Sequence, residues 1–367
     1  MGKIKTLTVI GTRPEATKLV PLILAQKNSP QVQSEVLVTA QHRELVDEVL
    51  GLFDIKPDYD LNIMTQGQTL DDITVRVLNG VKPVLEISKP DILLVQGDTT
   101  TTFAAALSAF YSRIKIGHVE AGLRSFDKYR PYPEEVNRKL TTAIADLHFA
   151  PTEVSKVNLQ NENVPEKNIY VTGNTAIDLI KYTKRDGFNH AKLGDIDFSK
   201  KIITVTAHRR ENWGKPMVDI CKAILRIAGE FPSTFFVWPV HPSKAVRNVA
   251  MELLSGHERI LLTEPLDVFD MHNLMAKSYL CLTDSGGLQE EAPSFDLPVV
   301  VLREVTERPE GLHAGTLVLA GTCENRVFEK TAELLMDKEK YGKIAEATNP
   351  FGDGNASERI IDALCLH

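Results

Sequence analysis

Residues 91–98 read DILLVQGD, an apolar run closed by Gly97 and Asp98. A strand with one face in water alternates apolar and polar side chains. A continuous apolar run of this length is what a parallel strand covered on both faces requires. The glycine and the aspartate that follow put a tight turn and an ionisable group at its carboxyl end. Seven further runs share the pattern: TLTVI, SEVLVTA, IKIGHV, KIITVTA, TFFVWPV, SYLCLT and PVVVL. Helical segments separate them, so the chain reads as a βαβ protein with no internal repeat.

The residues after these runs are polar, and most are ionisable. They are Gly11-Thr12-Arg13, Gln41-His42, Gly97-Asp98 and Glu120 in the first half. In the second half they are His208-Arg209, His241, Asp284-Ser285 and Arg303. Open parallel sheets bind ligands outside the carboxyl ends of their strands. Eight such ends predict a site assembled from both halves. The polar, glycine-broken stretch at residues 181–201 reads as a hinge region or an irregular connector between two α/β units. Residues 355–367 read as an amphipathic helix after a glycine turn.

Composition limits the partners. The chain has 367 residues and a formal charge of −7, with a sequence pI near 5.9. Nucleic acid and anionic membrane surfaces both call for a basic footprint, which this balance does not supply. No apolar run reaches the ~20 residues of a membrane span, and the first strand begins almost at the amino terminus. Cys221, Cys281, Cys323 and Cys365 are widely spaced among apolar neighbours, which predicts buried free thiols in a reducing cytoplasm. No zinc spacing, P-loop or suitably placed G-x-G-x-x-G is present, so neither a metal nor a tightly held nicotinamide is expected.

Two stretches carry chemistry. Residues 117–138, GHVEAGLRSFDKYRPYPEEVNR, crowd Glu120, Asp127, Glu134 and Glu135 among Arg124, Arg130 and Arg138. A solvated, charge-neutral loop is the simple reading. The placement of Glu120 at a strand end, like Asp98, favours a site for those two. Glu135, in the first turn of a helix, is read as complementing the helix dipole. Residues 282–291, LTDSGGLQEE, are strand, glycine turn and helix. Ser285, Gly286 and Gly287 let the backbone approach a bulky anion at free N–H groups, and Glu291 can accept from ribose hydroxyls. With His208, Arg209 and His241 in the same half, the pattern suits a diphosphate.

Taken in order along the chain, GTRPEATKLVPLI, TAQHRELVDEVL, QGDTTTTFAAALSAFY, GHVEAGLRS, PYPEEVNR, VTGNTAID, TAHRRENWG, PVHP, LTDSGGLQEEAPS and TERPEGLHAGT resemble the non-hydrolysing UDP-N-acetylglucosamine 2-epimerases. The resemblance spans essentially the whole chain. It implies two Rossmann-like domains facing across a cleft, as in glycosyltransferase-B folds. The first domain is expected over residues 1–173, joined by the helix at 355–367. The second is expected over residues 174–354. It also implies interconversion of UDP-GlcNAc and UDP-ManNAc through UDP elimination and a 2-acetamidoglucal, without NAD or metal. A homodimer supplying ManNAc-type precursors for cell-surface polysaccharide is part of the same implication. The family's catalytic groups fall on Arg13, Lys18, Asp98, Glu120, Glu134 and His208. Its UDP-holding groups fall on Arg209, His241, Met271, Ser285, Gly286, Gly287 and Glu291.

Which carboxylate takes the proton and which returns it stays open, and Arg124 and Arg138 are read as structural partners. Met271 stands at a uracil-side position that is aromatic in some relatives. Some members bind a second UDP-GlcNAc as activator. The corresponding positions here include Gln41, His42 and Gln68, but Gly67 stands where an arginine is expected and Glu44 where some have glutamine. Competing functions are a hydrolysing epimerase, an epimerase of a modified UDP-sugar and a UDP-sugar glycosyltransferase. A non-enzymatic UDP-sugar sensor has no need of three carboxylates near a diphosphate.

Overall fold

In the computed structural model, residues 2–41, 43–186, 193 and 196–367 are described. The chain divides into two units, Met1–Leu179 with Phe351–His367, and Ile180–Pro350. In the first, seven strands form one parallel sheet. They are β1 (Ile4–Ile10), β2 (Val32–Val38), β3 (Tyr59–Asp60), β4 (Ile92–Gln96), β5 (Lys115–Val119), β6 (Leu147–Ala150) and β7 (Ile169–Val171). Their order across the sheet is β3-β2-β1-β4-β5-β6-β7.

The second unit repeats the plan with β8 (Lys201–Thr206), β9 (Thr234–Pro239), β10 (Ile260–Thr263), β11 (Leu280–Thr283), β12 (Val299–Val301) and β13 (Leu317–Leu319). Here the order is β10-β9-β8-β11-β12-β13, again with all pairs parallel. In both sheets the winding reverses beside the first strand, between β1 and β4 and between β8 and β11. That is the doubly wound Rossmann pattern, and the reversal opens a crevice at the strands' carboxyl ends. Gly11, Gly97 and Asp98 therefore stand at one switch point. His208, Asp284 and Ser285 stand at the other.

The apolar runs are buried as two-sided strands should be: all five residues of β4 and all six of β9 are inaccessible. Leu7, Val9, Leu93 and Val95 pack with Val77, Val81 and Ala105 from the covering helices. Ile203, Val205, Phe236 and Trp238 pack with Ile220 and Ile224 in the second unit. Each such side chain contributes about 2 kcal/mol of burial. After Phe351 the chain rejoins the first unit. Asn174 N–H donates to the Phe351 carbonyl at 2.7 Å, and Asp178 accepts the N–H groups of Ala356 and Ser357 at 3.0 and 2.6 Å. Asp178 thus caps the helix Ala356–Leu364.

Two sequence expectations need amendment. β3, β6, β7, β10 and β13 were not among the eight runs: β3, β7, β10 and β13 are the outer strands of their sheets and are only partly buried, so they need no continuous apolar run, and β6 is interrupted by His148. Cys221 and Cys281 are buried free thiols, but Cys323 is exposed, because it is the residue preceding the helix Glu324–Met336 and turns outward there. Cys365 is only partly covered. Of the expected connector, residues 187–192, 194 and 195 lie outside the described residues. Among the described residues no helix is long and apolar enough to cross a membrane.

Candidate active site

In the first unit, Glu120 follows β5 directly and takes φ +62°, a left-handed conformation that costs a side-chain-bearing residue about 1–2 kcal/mol. The strained turn is held by the side chain. Lys18 Nζ lies 2.5 and 2.6 Å from the two carboxylate oxygens, and the Gln96 amide also donates to Oε2. Lys18 comes from the helix Arg13–Asn28, so the helix after β1 and the end of β5 meet at one part-buried ion pair. Strain kept by such fixed partners is typical of functional positions.

Asp98, after β4, pairs with Arg138 at 2.6 Å, and Asn137 donates to its carbonyl at 2.9 Å. Arg138 also reaches Glu135 at 3.2 Å. Glu135 does more than complement a helix dipole. It is fully buried and accepts the N–H groups of Ser125 and Phe126 at 2.9 and 3.1 Å, which fixes the loop before its helix. Its neighbour Glu134 differs: one carboxylate oxygen is buried with no hydrogen-bond partner. Arg124, with no exposed side-chain surface, pairs with Glu162 at 2.6 Å, the structural role read for it.

Glu15, which sequence reasoning passed over, ties these loops together. Its Oε2 accepts the N–H groups of Gly11 and Thr12 at 2.8 and 2.6 Å, and its Oε1 accepts the hydroxyls of Thr99 and Thr102 at 2.6 and 2.9 Å. Burial pushes its carboxyl pKa up against those hydrogen bonds. A Cβ on Gly11 would lie 2.4 Å from Thr101 Oγ1, so only glycine fits. Arg13, the next helix's first residue, is exposed. Gln41 accepts from Thr101 at 2.8 Å, and Gln68 reaches the Gln41 carbonyl only at 3.5 Å. His42 lies outside the described residues. Arg43 pairs with Asp47 and Asp60, and Arg76 donates to the Ile63 carbonyl and the Thr65 hydroxyl.

In the second unit the centre is Asp284, fully buried after β11. Its Oδ2 accepts the N–H groups of His208 and Arg209 and the amide of Asn212, each at 2.8 Å. Burial pushes its carboxyl up, but His208 and these donors outweigh it and hold the pKa below the usual carboxylate range. The His208 and His241 rings stack with centroids 5.6 Å apart. His241 Nδ1 accepts the Ser243 N–H at 3.1 Å, so its own proton sits on Nε2. Burial and the neighbouring His208 lower the His241 pKa, keeping that ring neutral.

The glycine turn is cationic on one side. A Cβ on Gly286 would lie 3.4 Å from Arg308 Nη2 and 3.7 Å from Arg209 Nη2. Arg209 also keeps a buried Nε with no hydrogen-bond partner. Arg308 is anchored by Glu290, and its position beside Gly286 had no local sequence signal, since it arrives from a later loop. Ser285 N–H donates to Thr283 Oγ1 at 2.9 Å. Glu291 is held by buried His272 at 3.2 Å, whose other nitrogen meets Thr183 at 2.6 Å. His272 was likewise missed, as a lone histidine inside an apolar helix gives no pattern. Met271, beside it, is half-buried against the core. Among the described residues no group of three or more His, Cys, Asp or Glu side chains is placed to hold a metal ion.

The chain is therefore an α/β protein of two Rossmann-like units. One presents carboxylates at its strand ends, and the other presents cations and N–H donors around a glycine turn. It belongs to the UDP-N-acetylglucosamine 2-epimerase family, whose model matches residues 24–365. The UDP-N-acetylglucosamine 2-epimerase of Bacillus subtilis is 54% identical over 367 residues, covering all of this chain and 96% of that one. The Neisseria meningitidis UDP-GlcNAc 2-epimerase bound to UDP-GlcNAc superposes with a TM-score of 0.90 at 46% identity, over 99% of this chain and all of that one. The Staphylococcus aureus MnaA–UDP structure gives 0.89 at 50% identity, over 98% and 95%.

Proposed function

We propose that this chain interconverts UDP-GlcNAc and UDP-ManNAc by inverting carbon 2, and that it does so without hydrolysis. The second unit holds UDP: Arg209 and His241 with the turn at Ser285, Gly286 and Gly287 take the diphosphate, Glu291 takes the ribose, and Met271 lies along the uracil. The first unit supplies Arg13, Lys18, Asp98, Glu120 and Glu134 for the sugar. The observation that carries this reading is the unequal state of two carboxylates. Glu120 is locked by Lys18 and Gln96, whereas Glu134 keeps a buried oxygen with no partner.

The proton on carbon 2 has no adjacent carbonyl to acidify it, so a base must act as the anomeric C–O bond breaks. The C–H electron pair becomes the C1=C2 bond of 2-acetamidoglucal, and the C–O pair leaves with UDP. Arg13, His208 and the glycine turn stabilise that departing charge, a contribution of about 3–4 kcal/mol for one well-placed donor. UDP oxygen then returns to carbon 1, and a carboxyl delivers a proton to the opposite face of carbon 2. Two carboxylates in different surroundings can divide these acid and base roles.

The same reading has the enzyme act as a cytoplasmic homodimer that feeds cell-surface polysaccharide. Its free thiols suit a reducing compartment. The helices Leu70–Ser88 and Thr100–Tyr111 leave Val75, Ile87, Phe110 and Tyr111 more than half exposed, apolar side chains that a second copy would cover. The test is to incubate the protein with UDP-GlcNAc and resolve the products. UDP-ManNAc with no accumulation of free sugar is expected. Free ManNAc with UDP as the main products would instead make it a hydrolysing enzyme.

A further inference from the structure

Asp284 contributes no atom to the sugar or nucleotide in the reading above, yet it is a fully buried carboxylate of the second unit that accepts three hydrogen bonds. It sits at the switch point, where β11 lies beside β8, and no part of its side chain meets solvent. Its two oxygens are used differently. Oδ2 is saturated by three donors at 2.8 Å, two of them the backbone N–H groups of His208 and Arg209. Asn212, the third donor, is itself fixed by the Leu302 carbonyl at 3.1 Å. Oδ1 has no formed hydrogen bond, and His208 Nδ1 stands 3.1 Å away. That distance puts the ring nitrogen within hydrogen-bond reach of Oδ1.

We propose that Asp284 is the positioning residue of His208: it fixes the ring so that Nδ1 carries a proton and Nε2 is presented to the departing diphosphate. The proposal rests on the epimerase reading for His208's partner, but its structural half stands on the second unit alone. A carboxylate has no proton to give at Nδ1, so the ring must donate there, leaving Nε2 with the lone pair or a second proton. Should Nε2 gain a proton as charge builds on UDP, the resulting imidazolium faces a buried anion. Carboxylates that orient an imidazole in this way govern tautomer and reactivity without touching substrate. Among the described residues, Asp284 from the end of β11 faces the ring, His241 stacks on it from the end of β9, and Arg209 follows it in sequence.

The asymmetry of the two oxygens makes the isosteric variant informative. In Asp284→Asn the three donors around Oδ2 still require an acceptor, so they hold the amide oxygen there. The amide NH2 is then forced to the Oδ1 position, facing His208 Nδ1. That nitrogen must become the acceptor, and the proton moves to Nε2. The fold keeps its hydrogen bonds while the tautomer is reversed.

Three measurements test this. Nitrogen-15 NMR of the wild-type protein should show the His208 proton on Nδ1, and Asp284→Asn should move it to Nε2. UDP affinity, read by calorimetry, should change less than about threefold, while kcat should fall by about 10²-fold or more. In a His208→Ala background, adding Asp284→Asn should lower kcat no further, because the pair acts as a unit. A wild-type ring protonated only on Nε2 would overturn the proposal even if the variant failed to fold. So would an unchanged tautomer in Asp284→Asn, or a full further loss of kcat in the His208→Ala background. Should wild-type enzyme lack epimerase activity, the NMR result still decides the Asp284–His208 relation, so the two failures are distinguishable.

Discussion

Lys18 Nζ sits 2.5 Å from Glu120 Oε1, joining the helix after β1 to a left-handed residue after β5. A part-buried ion pair contributes little net stability, but removing Lys18 leaves the buried Glu120 charge uncompensated. Lys18→Met is therefore expected to lose turnover by about 10²-fold or more, and Lys18→Arg to recover only part of it, because the planar fork does not fit the space of an ammonium. On the proposal that the second unit holds UDP, UDP affinity should stay near wild type. Steady-state kinetics with UDP calorimetry checks this; a Met variant with normal turnover would make the pair purely architectural.

Glu134 and Glu135 are adjacent and should behave oppositely. Glu134→Gln removes an oxygen that has no partner in the fold, so it should melt like wild type while losing turnover by about 10²-fold. Glu135→Gln weakens the acceptor for two backbone N–H groups and for Arg138, and should cost about 1–3 kcal/mol in a urea titration. Similar stability loss in both variants would show that Glu134 is also part of the scaffold.

How far the sequence reached follows from where each signal lay. The apolar runs and the polar residues behind them were legible because two-sided burial forces a continuous pattern, and β4 and β9 obey it throughout. β13, an outer strand, is only partly buried, and β6 is interrupted by His148, so neither shows the continuous pattern. Within the sites, Glu120 and Ser285 lie next to strands and could be placed by counting. Glu15, His272 and Arg308 could not, because their contacts span separate elements: Glu15 meets Thr99 and Thr102, His272 meets Thr183, and Arg308 stands over Gly286. Glu135 was misjudged for the same reason, as its partners lie in the preceding loop.

Two buried histidines predict the acid limb of stability. Burial drives the His118 pKa down to about 3 and that of His148 to about 4. Both are neutral when folded, and His118 donates from Nε2 to the Gly97 carbonyl at 2.7 Å. The unfolded chain takes up those protons near pH 6.5, so the contribution is complete above that pH and is lost as pH falls toward 3–4. Each ring should account for about 2 kcal/mol between pH 6.5 and 5. His118→Gln keeps a donor near Gly97 without a titrating ring, and should flatten the pH dependence of the urea midpoint by that amount. An unchanged slope would contradict the assignment.

Gly67 has φ +73° and open space around its Cα, and it supplies no cation where an activator diphosphate would need one. Arg43 and Arg76, the nearest alternatives in sequence, are engaged with Asp60 and with Thr65. Turnover starting from pure UDP-ManNAc should therefore begin without a lag and without added UDP-GlcNAc. Enzyme that stays silent until trace UDP-GlcNAc is supplied would mean that another cation serves the activator.

In the proposed reaction, carbon 2 loses its proton and regains one from a carboxyl in exchange with solvent. In deuterated water with UDP-GlcNAc, mass spectrometry and proton NMR should find one deuterium at carbon 2 of the sugar nucleotides as UDP-ManNAc forms. UDP-ManNAc appearing with its original hydrogen at carbon 2 would contradict elimination and re-addition through these carboxylates.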